Sequence, residues 1–149
     1  MGNPWQKTIN VTLTSVNPTE YQITPVGPDP IPVGADGALI FNNDNHNGFN
    51  IDFVLIDQTG QGYAFPPNNN KGQAVSSRLG AINDCPPQGT SVVLSPVNIS
   101  GPNNNTLSVH NPNQGSVVGS FSYALWVTKD GGQSYVSIDP GGNNMNGAT

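Results

Sequence analysis

Apolar and polar residues alternate at every second position in three long stretches of the chain, residues 8–14, 49–57 and 121–128. Alternation with a period of two is typical of a half-buried β-strand, because successive side chains of a strand point to opposite faces. The apolar faces consist of Ile9, Val11 and Leu13, of Phe49, Ile51, Phe53 and Leu55, and of Phe121, Tyr123, Leu125 and Val127. The pattern therefore predicts strands in all three stretches.

Shorter runs of the same kind lie between turn-rich segments. They predict further strands at residues 21–24, 38–41, 62–65, 91–94, 97–99, 106–110 and 134–138. Residues 68–91 otherwise give no clear prediction, and no segment has helical periodicity. We predict an all-β, single-domain, immunoglobulin-like antiparallel β-sandwich of about eight or nine strands over residues 1–149, with a β-barrel as the alternative. Residues 1–6 and 141–149 are expected to be frayed termini.

The composition agrees with this prediction and excludes several other classes of protein. The chain has 18 glycines, 14 prolines and 21 asparagines in 149 residues, and all three residue types interrupt helices. Charged residues make up 9% of the chain and the net charge is −5, so there is no basic patch for nucleic acid. No apolar run is long enough to cross a membrane as a helix.

The first residues of the chain indicate a cellular location, and the cysteine count limits disulfide formation. The N-terminus lacks the basic start and apolar run of a secretory signal, which favours a cytoplasmic protein. A secreted or surface location is the alternative, if a signal was removed. Cys85 is the one cysteine of the chain, so it has no intramolecular disulfide partner.

An asparagine-rich loop before the strand at residues 49–57 is one candidate site. Asn43, Asn45 and Asn47 alternate there as oxygen ligands do at the start of a calcium loop, and Asp44 and Asp52 could add two carboxylates. The twelfth position of such a loop should be a bidentate Glu, but Val54 occupies it. We therefore favour a hairpin that uses residues tolerant of left-handed backbone, and we predict no metal and no cofactor.

Nucleophilic catalysis would require Cys85 together with His46 or His110. No cation lies near Cys85 in the sequence to lower its pKa, and no strand-to-helix turn presents it. A carboxylate pair is the other option for a small hydrolase. We predict no catalytic residues and no enzyme activity.

Aromatic residues offer a third candidate site. Trp5, Tyr63, Trp126 and Tyr135 could form a platform on which sugars stack, with Asn and Asp side chains supplying hydrogen bonds. Asn45 and His46 in the asparagine-rich loop are further candidate binding residues. Tyr and Trp also anchor protein interfaces, so the same residues are compatible with packing or self-association.

The last third of the chain resembles the DP-EP family of small bacterial β-sandwich proteins. The resemblance rests on residues 121–128, on Asp130-Gly131, and on Asp139-Pro140 followed by Asn143-Asn144. Residues 10–13 and 51–55 are also compatible with it. It implies an immunoglobulin-like sandwich without an established activity, and it assigns no catalytic residues.

These observations favour a non-enzymatic binding or assembly protein that acts through loops or exposed sheet edges. The expected partner is another protein or a second copy of the chain, because low-charge sandwiches with open edges tend to associate. A carbohydrate-binding module that uses the aromatic residues is the alternative. We expect no nucleic acid and no membrane as partners.

Overall fold

The structure is a computed structural model that describes residues 5–34, 38–41, 48–80, 85–113 and 117–144. Ten strands form in these residues: β1 Trp5–Val16, β2 Thr19–Val26, β3 Leu39–Phe41, β4 Phe49–Asp57, β5 Val75–Leu79, β6 Ser95–Ser100, β7 Thr106–Asn111, β8 Gly119–Val127, β9 Val136–Ile138 and β10 Gly141–Asn144. Two short 3₁₀ helices, Asn68–Gln73 and Pro102–Asn104, lie between strands. None of the helices in the described ranges has the length and apolar character needed to span a membrane.

The strands form two separate sheets. The first sheet has the order β2-β1-β4-β7-β6, and the second has the order β3-β10-β8-β5, with β9 also paired to β8. The all-β sandwich predicted from the sequence is confirmed. The β-barrel alternative is wrong for the residues described above, since the two sheets do not join into a closed ring.

The prediction of purely antiparallel sheets is wrong in two places. β1 runs parallel to β4, and β3 runs parallel to β10. After the β1–β2 hairpin the chain crosses to β3 in the second sheet and returns as β4 on the free side of β1. This return places β4 at the centre of the first sheet.

The core lies between the sheets and is built from the predicted alternating faces. Phe53 and Tyr123 are fully buried, with ring centroids 5.8 Å apart across the sandwich. Phe121 lies 6.0 Å from Tyr123 and 6.1 Å from Phe41, so a chain of rings runs along the interior. Burying a large apolar side chain contributes about 1.5–3 kcal/mol, so these faces are a major part of the stabilisation.

Several local predictions are corrected by the structure. Residues 62–65 and 91–94 do not form strands and make single bridges through Ala64 and Ser91. β5 and β10 were not predicted, because β5 contains buried serines and β10 contains no apolar residue. Residues 5–6 and 141–144 lie in paired strands, whereas the prediction expected frayed termini there. Residues 1–4 and 145–149 lie outside the described residues.

Candidate functional site

The four aromatic residues of the predicted sugar platform do not share one surface. Trp5 is paired with Phe49 at the start of β4, whereas the backbone N–H of Tyr63 donates to Asp57 at the end of β4. Eight residues of strand, about 26 Å, separate Phe49 from Asp57. A single sugar therefore cannot contact both Trp5 and Tyr63.

The other two aromatic residues belong to the second sheet and the loop that follows it. Trp126 lies on the outer face of β8, half-buried, and its Nε1–H donates to Ser76 Oγ at 2.9 Å. Tyr135 lies in the β8–β9 connection, also half-buried, where its hydroxyl packs against Gly132. Both side chains are used in packing within the fold, which is the alternative to sugar binding given above for these aromatic residues.

Of the candidate metal and nucleophile residues, the described part of the chain contains Asp52, Cys85 and His110. Asp44, Asn45 and His46 lie outside the described residues, and Asp52 lies in the middle of β4, where it accepts a hydrogen bond from Ser108 Oγ at 2.6 Å. His110 Nδ1 is 2.8 Å from Asn50 Oδ1, and Cys85 is exposed. Among the described residues, no three His, Cys, Asp or Glu side chains cluster in a way that could hold a metal ion.

Trp5 borders a small cleft at the end of the sandwich, which we call the Trp5 cleft. It has a volume of about 220 Å³ and lies where the start of β1 meets the segment between β2 and β3. Among the described residues it is lined by Trp5, Lys7 and Asp29, which we call its rim, and by the apolar residues Pro30, Ile31, Pro32, Ile40 and Phe49, which we call its walls. The Trp5 side chain is 42% exposed, so its indole ring is available at the mouth of the cleft.

Lys7 fixes the geometry of this rim. Its side chain is only 10% exposed, and its ammonium donates to the backbone oxygen of Asp29. Lys7 Nζ also lies 3.5 Å from Asp29 Oδ2 and 5.3 Å from the centre of the Trp5 ring. Because Asp29 is 82% exposed, solvent screens its side of the ion pair and the carboxylate stays open to a ligand.

A larger and more polar cleft lies at the opposite end of β4. It has a volume of about 570 Å³ and is bordered by Asp57, Tyr63, Asn103 and Asn105. The Asp57 carboxylate accepts hydrogen bonds from the backbone N–H groups of Thr59, Gly62 and Tyr63 and from the Thr59 hydroxyl. Partial burial raises the pKa of Asp57, but these hydrogen bonds outweigh it and hold the pKa below its ordinary value. Asp57 is therefore committed to organising its own loop.

Asp130 organises the β8–β9 connection in the way that Asp57 organises its loop. It accepts hydrogen bonds from the Ser134 hydroxyl at 2.6 Å, from the Ser134 N–H at 2.9 Å and from the Thr128 hydroxyl at 2.7 Å. These bonds, those from Ser134 foremost, hold the pKa of Asp130 far below its ordinary value. The antiparallel pairing of β8 with β9 makes this connection a hairpin.

The sheet edges differ in how well their backbone groups are covered. The outer side of β3 bonds to the preceding segment, through Ile40 N to Pro32 O and Gly34 N to Ala38 O. The outer side of β5 bonds to residues 90–92, through Ser77 N to Thr90 O and Val92 N to Ser77 O. β9 is three residues long, and a short edge strand is a poor template for pairing.

The edge strand β6 is covered by side chains of the 3₁₀ helix Asn68–Gln73. The Asn68 amide accepts from Ile99 N at 3.1 Å and donates to Ile99 O at 3.2 Å, as the backbone of a neighbouring strand would. Lys71 Nζ donates to Val97 O at 3.0 Å. Pro96 and the register shift beside it protect the start of the strand.

β2 has no comparable cover. Its backbone pairs with β1, and the Thr14 hydroxyl of β1 donates to Glu20 O at 3.1 Å, but within the described residues no element other than β1 makes a hydrogen bond to Thr19–Val26. Pro25 protects one end, which leaves residues 19–24 as an open stretch of backbone donors and acceptors. The sequence indicated exposed edges in general, but it gave no signal that distinguished β2 from β6.

No family model matches this chain, and no curated protein matches it. The resemblance to the DP-EP family therefore stays a prediction, and so does the immunoglobulin-like arrangement that it implies. The functional argument rests on the geometry of the molecule.

Proposed function

We propose that this protein is a non-enzymatic assembly protein that pairs the outer side of β2 with β2 of a second copy. The observation that carries the proposal is the difference between the edges: β3, β5 and β6 are covered by specific hydrogen bonds, β9 is short, and β2 is long and open. Natural sheets cover their edges because an open edge is a template for another strand.

The side chains of β2 suit a symmetric antiparallel pair. A two-fold axis at Gln22 places Tyr21 opposite Ile23 of the second copy, and Glu20 opposite Thr24. Aromatic residues opposite β-branched residues stabilise antiparallel pairs, and in this register no two like charges face each other. Tyr21 and Ile23 already pack against the core while half-exposed, so a second β2 would cover their remaining surface.

The expected dimer is weak. About six new hydrogen bonds, at about 0.5–1.5 kcal/mol each, would contribute about 3–9 kcal/mol. Association itself costs about 4–15 kcal/mol, so the side-chain contacts must supply the rest. We therefore expect dimers at protein concentrations of about 0.1–1 mM, measured by sedimentation equilibrium.

Cysteine cross-linking tests the register directly. In a Cys85→Ser background, Gln22→Cys places two thiols next to each other at the proposed axis, and mild oxidation should give a covalent dimer. The matched control is Thr24→Cys, on the same face of β2, whose two copies would lie about 13 Å apart along the strands and should not cross-link. Equal cross-linking of both variants, or a monomer at every concentration, would overturn the proposal.

A further inference from the structure

The size of the Trp5 cleft restricts what it can hold. Its volume of about 220 Å³ is below the ~300–1,000 Å³ of most pockets for drug-sized molecules. One six-membered ring with a small substituent is therefore the largest group that it can enclose. A longer ligand would have to extend out of the cleft along the surface.

The rim combines a stacking surface with groups that bind hydroxyls. The indole of Trp5 is exposed, and no hydrogen bond joins its N–H to another side chain in the described part of the chain. Lys7 Nζ is a donor and the exposed Asp29 carboxylate is an acceptor on the same rim. A pyranose ring matches this set, because it has an apolar face for the indole and hydroxyls around its edge that both donate and accept.

The walls add a preference for a methyl group. Ile31 and Phe49 are almost fully buried and line the cleft together with Ile40. These side chains offer no polar group to a bare hydroxyl, and burying a hydroxyl without a hydrogen bond is costly. A methyl substituent would gain about 0.8 kcal/mol there if it is fully buried.

We propose that the Trp5 cleft binds one pyranose residue of a glycan that carries a methyl group, with the ring stacked on Trp5 and its hydroxyls bound by Lys7 and Asp29. The methyl belongs to an acetamido group or to a 6-deoxy sugar. A proline-rich peptide is the competing occupant, since such peptides bind aromatic grooves. It fits less well, because Phe49 is buried and Trp5 is the one exposed aromatic ring among the described residues that line this cleft. The proposal goes beyond the pairing of β2 and does not depend on it.

Fluorine NMR of the protein labelled with 5-fluorotryptophan tests the proposal. The two labelled residues, Trp5 and Trp126, give one signal each, and Trp126 is an internal control because it lies on the other sheet. N-acetylglucosamine, fucose, glucose and a polyproline peptide are titrated separately. We expect the Trp5 signal alone to move, with a Kd of about 1 mM for the methyl-bearing sugars and at least about threefold weaker binding for glucose.

Variants connect the signal to the cleft. Since a Trp5→Ala protein lacks the reporter, its binding is measured by saturation-transfer NMR on the sugar, and the Kd should rise more than about tenfold. Asp29→Asn should weaken binding about threefold or more, because it removes the charge from an acceptor. The control Val33→Ala removes an exposed apolar side chain outside the cleft and should leave the Kd unchanged.

Three results would overturn the proposal. The first is that no sugar moves the Trp5 signal at about 20 mM, well above the expected Kd. The second is that the peptide binds and the sugars do not. The third is that Trp5→Ala and Val33→Ala bind sugar equally well. Preference for N-acetylglucosamine or for fucose identifies which source supplies the methyl group.

Discussion

Replacing Asn68 by alanine should both destabilise the protein and open its β6 edge. The Asn68 side chain makes three hydrogen bonds to β6, two with the backbone of Ile99 and one with Asn98 Oδ1 at 2.7 Å. Each hydrogen bond contributes about 0.5–1.5 kcal/mol net. Because Asn68 is exposed and water can replace part of these bonds, we expect Asn68→Ala to lower the free energy of unfolding by about 1–2 kcal/mol.

The effects of Asn68→Ala on stability and on association are each measurable. For a chain of this length, about 1–2 kcal/mol corresponds to a decrease in Tm of about 2–8 °C, which differential scanning calorimetry detects. Once Ile99 N–H and C=O are uncovered, β6 becomes a second open edge, so sedimentation should show more self-association than in the unmodified protein.

The neighbouring Asn69 provides the matched control. It is exposed, and no hydrogen bond connects its side chain to another residue in the described ranges, so Asn69→Ala should change the free energy of unfolding by less than about 0.5 kcal/mol. If the free energies of unfolding of the two variants agree within about 0.3 kcal/mol, the idea that Asn68 replaces a neighbouring strand is refuted.

Two further predictions concern charge and buried polarity. The pKa of Asp57 is lower in the folded protein than in the unfolded chain. At a pH between these two pKa values, the unfolded chain therefore binds more protons than the folded protein. The stabilisation by Asp57 is present above the pKa of the unfolded chain and is lost as the pH falls through the pKa of the folded protein. Urea unfolding between pH 6 and pH 2 (about the range of carboxylate titration) should therefore show a steeper loss of stability for the unmodified protein than for Asp57→Asn, and equal slopes would contradict this. The Tyr123 hydroxyl is fully buried and has no hydrogen-bond partner among the described residues, so Tyr123→Phe should leave the free energy of unfolding unchanged or raise it by about 1 kcal/mol or less. A decrease of more than about 1 kcal/mol in Tyr123→Phe, with the half-buried Tyr135→Phe as control, would show that the hydroxyl is bound.

Strand positions with regular alternation could be predicted from the sequence, and those without it could not. β4 has the bounds predicted for it, because every second residue of Phe49–Asp57 up to Leu55 is apolar. In β5, by contrast, Ser76 and Ser77 are buried. Ser77 Oγ accepts from Val93 N at 3.1 Å and Leu94 N at 2.9 Å, so a distant loop makes a polar residue suitable for the interior.

A similar limit applies to the candidate sites, because residue types can be read from the sequence but the distances between them cannot. The residue type of Trp5 identified a possible binding residue, but its cleft is formed with residues 29–32, which follow the next strand. One platform of all four aromatic residues is excluded because Trp5 and Tyr63 lie at opposite ends of β4. Composition indicates which residue types are present and not how far apart the fold holds them.

The sequence by itself determined that the chain is an all-β sandwich and which face of each regular strand is buried, because alternation acts over neighbouring residues. The tertiary structure alone decided which strands are neighbours, that β1 runs parallel to β4, and which edge stays open. The physical reason is the range of the interactions: the bonds that close β6 join Asn68 to Ile99, 31 residues away. No local pattern shows whether such a partner will be within hydrogen-bonding distance.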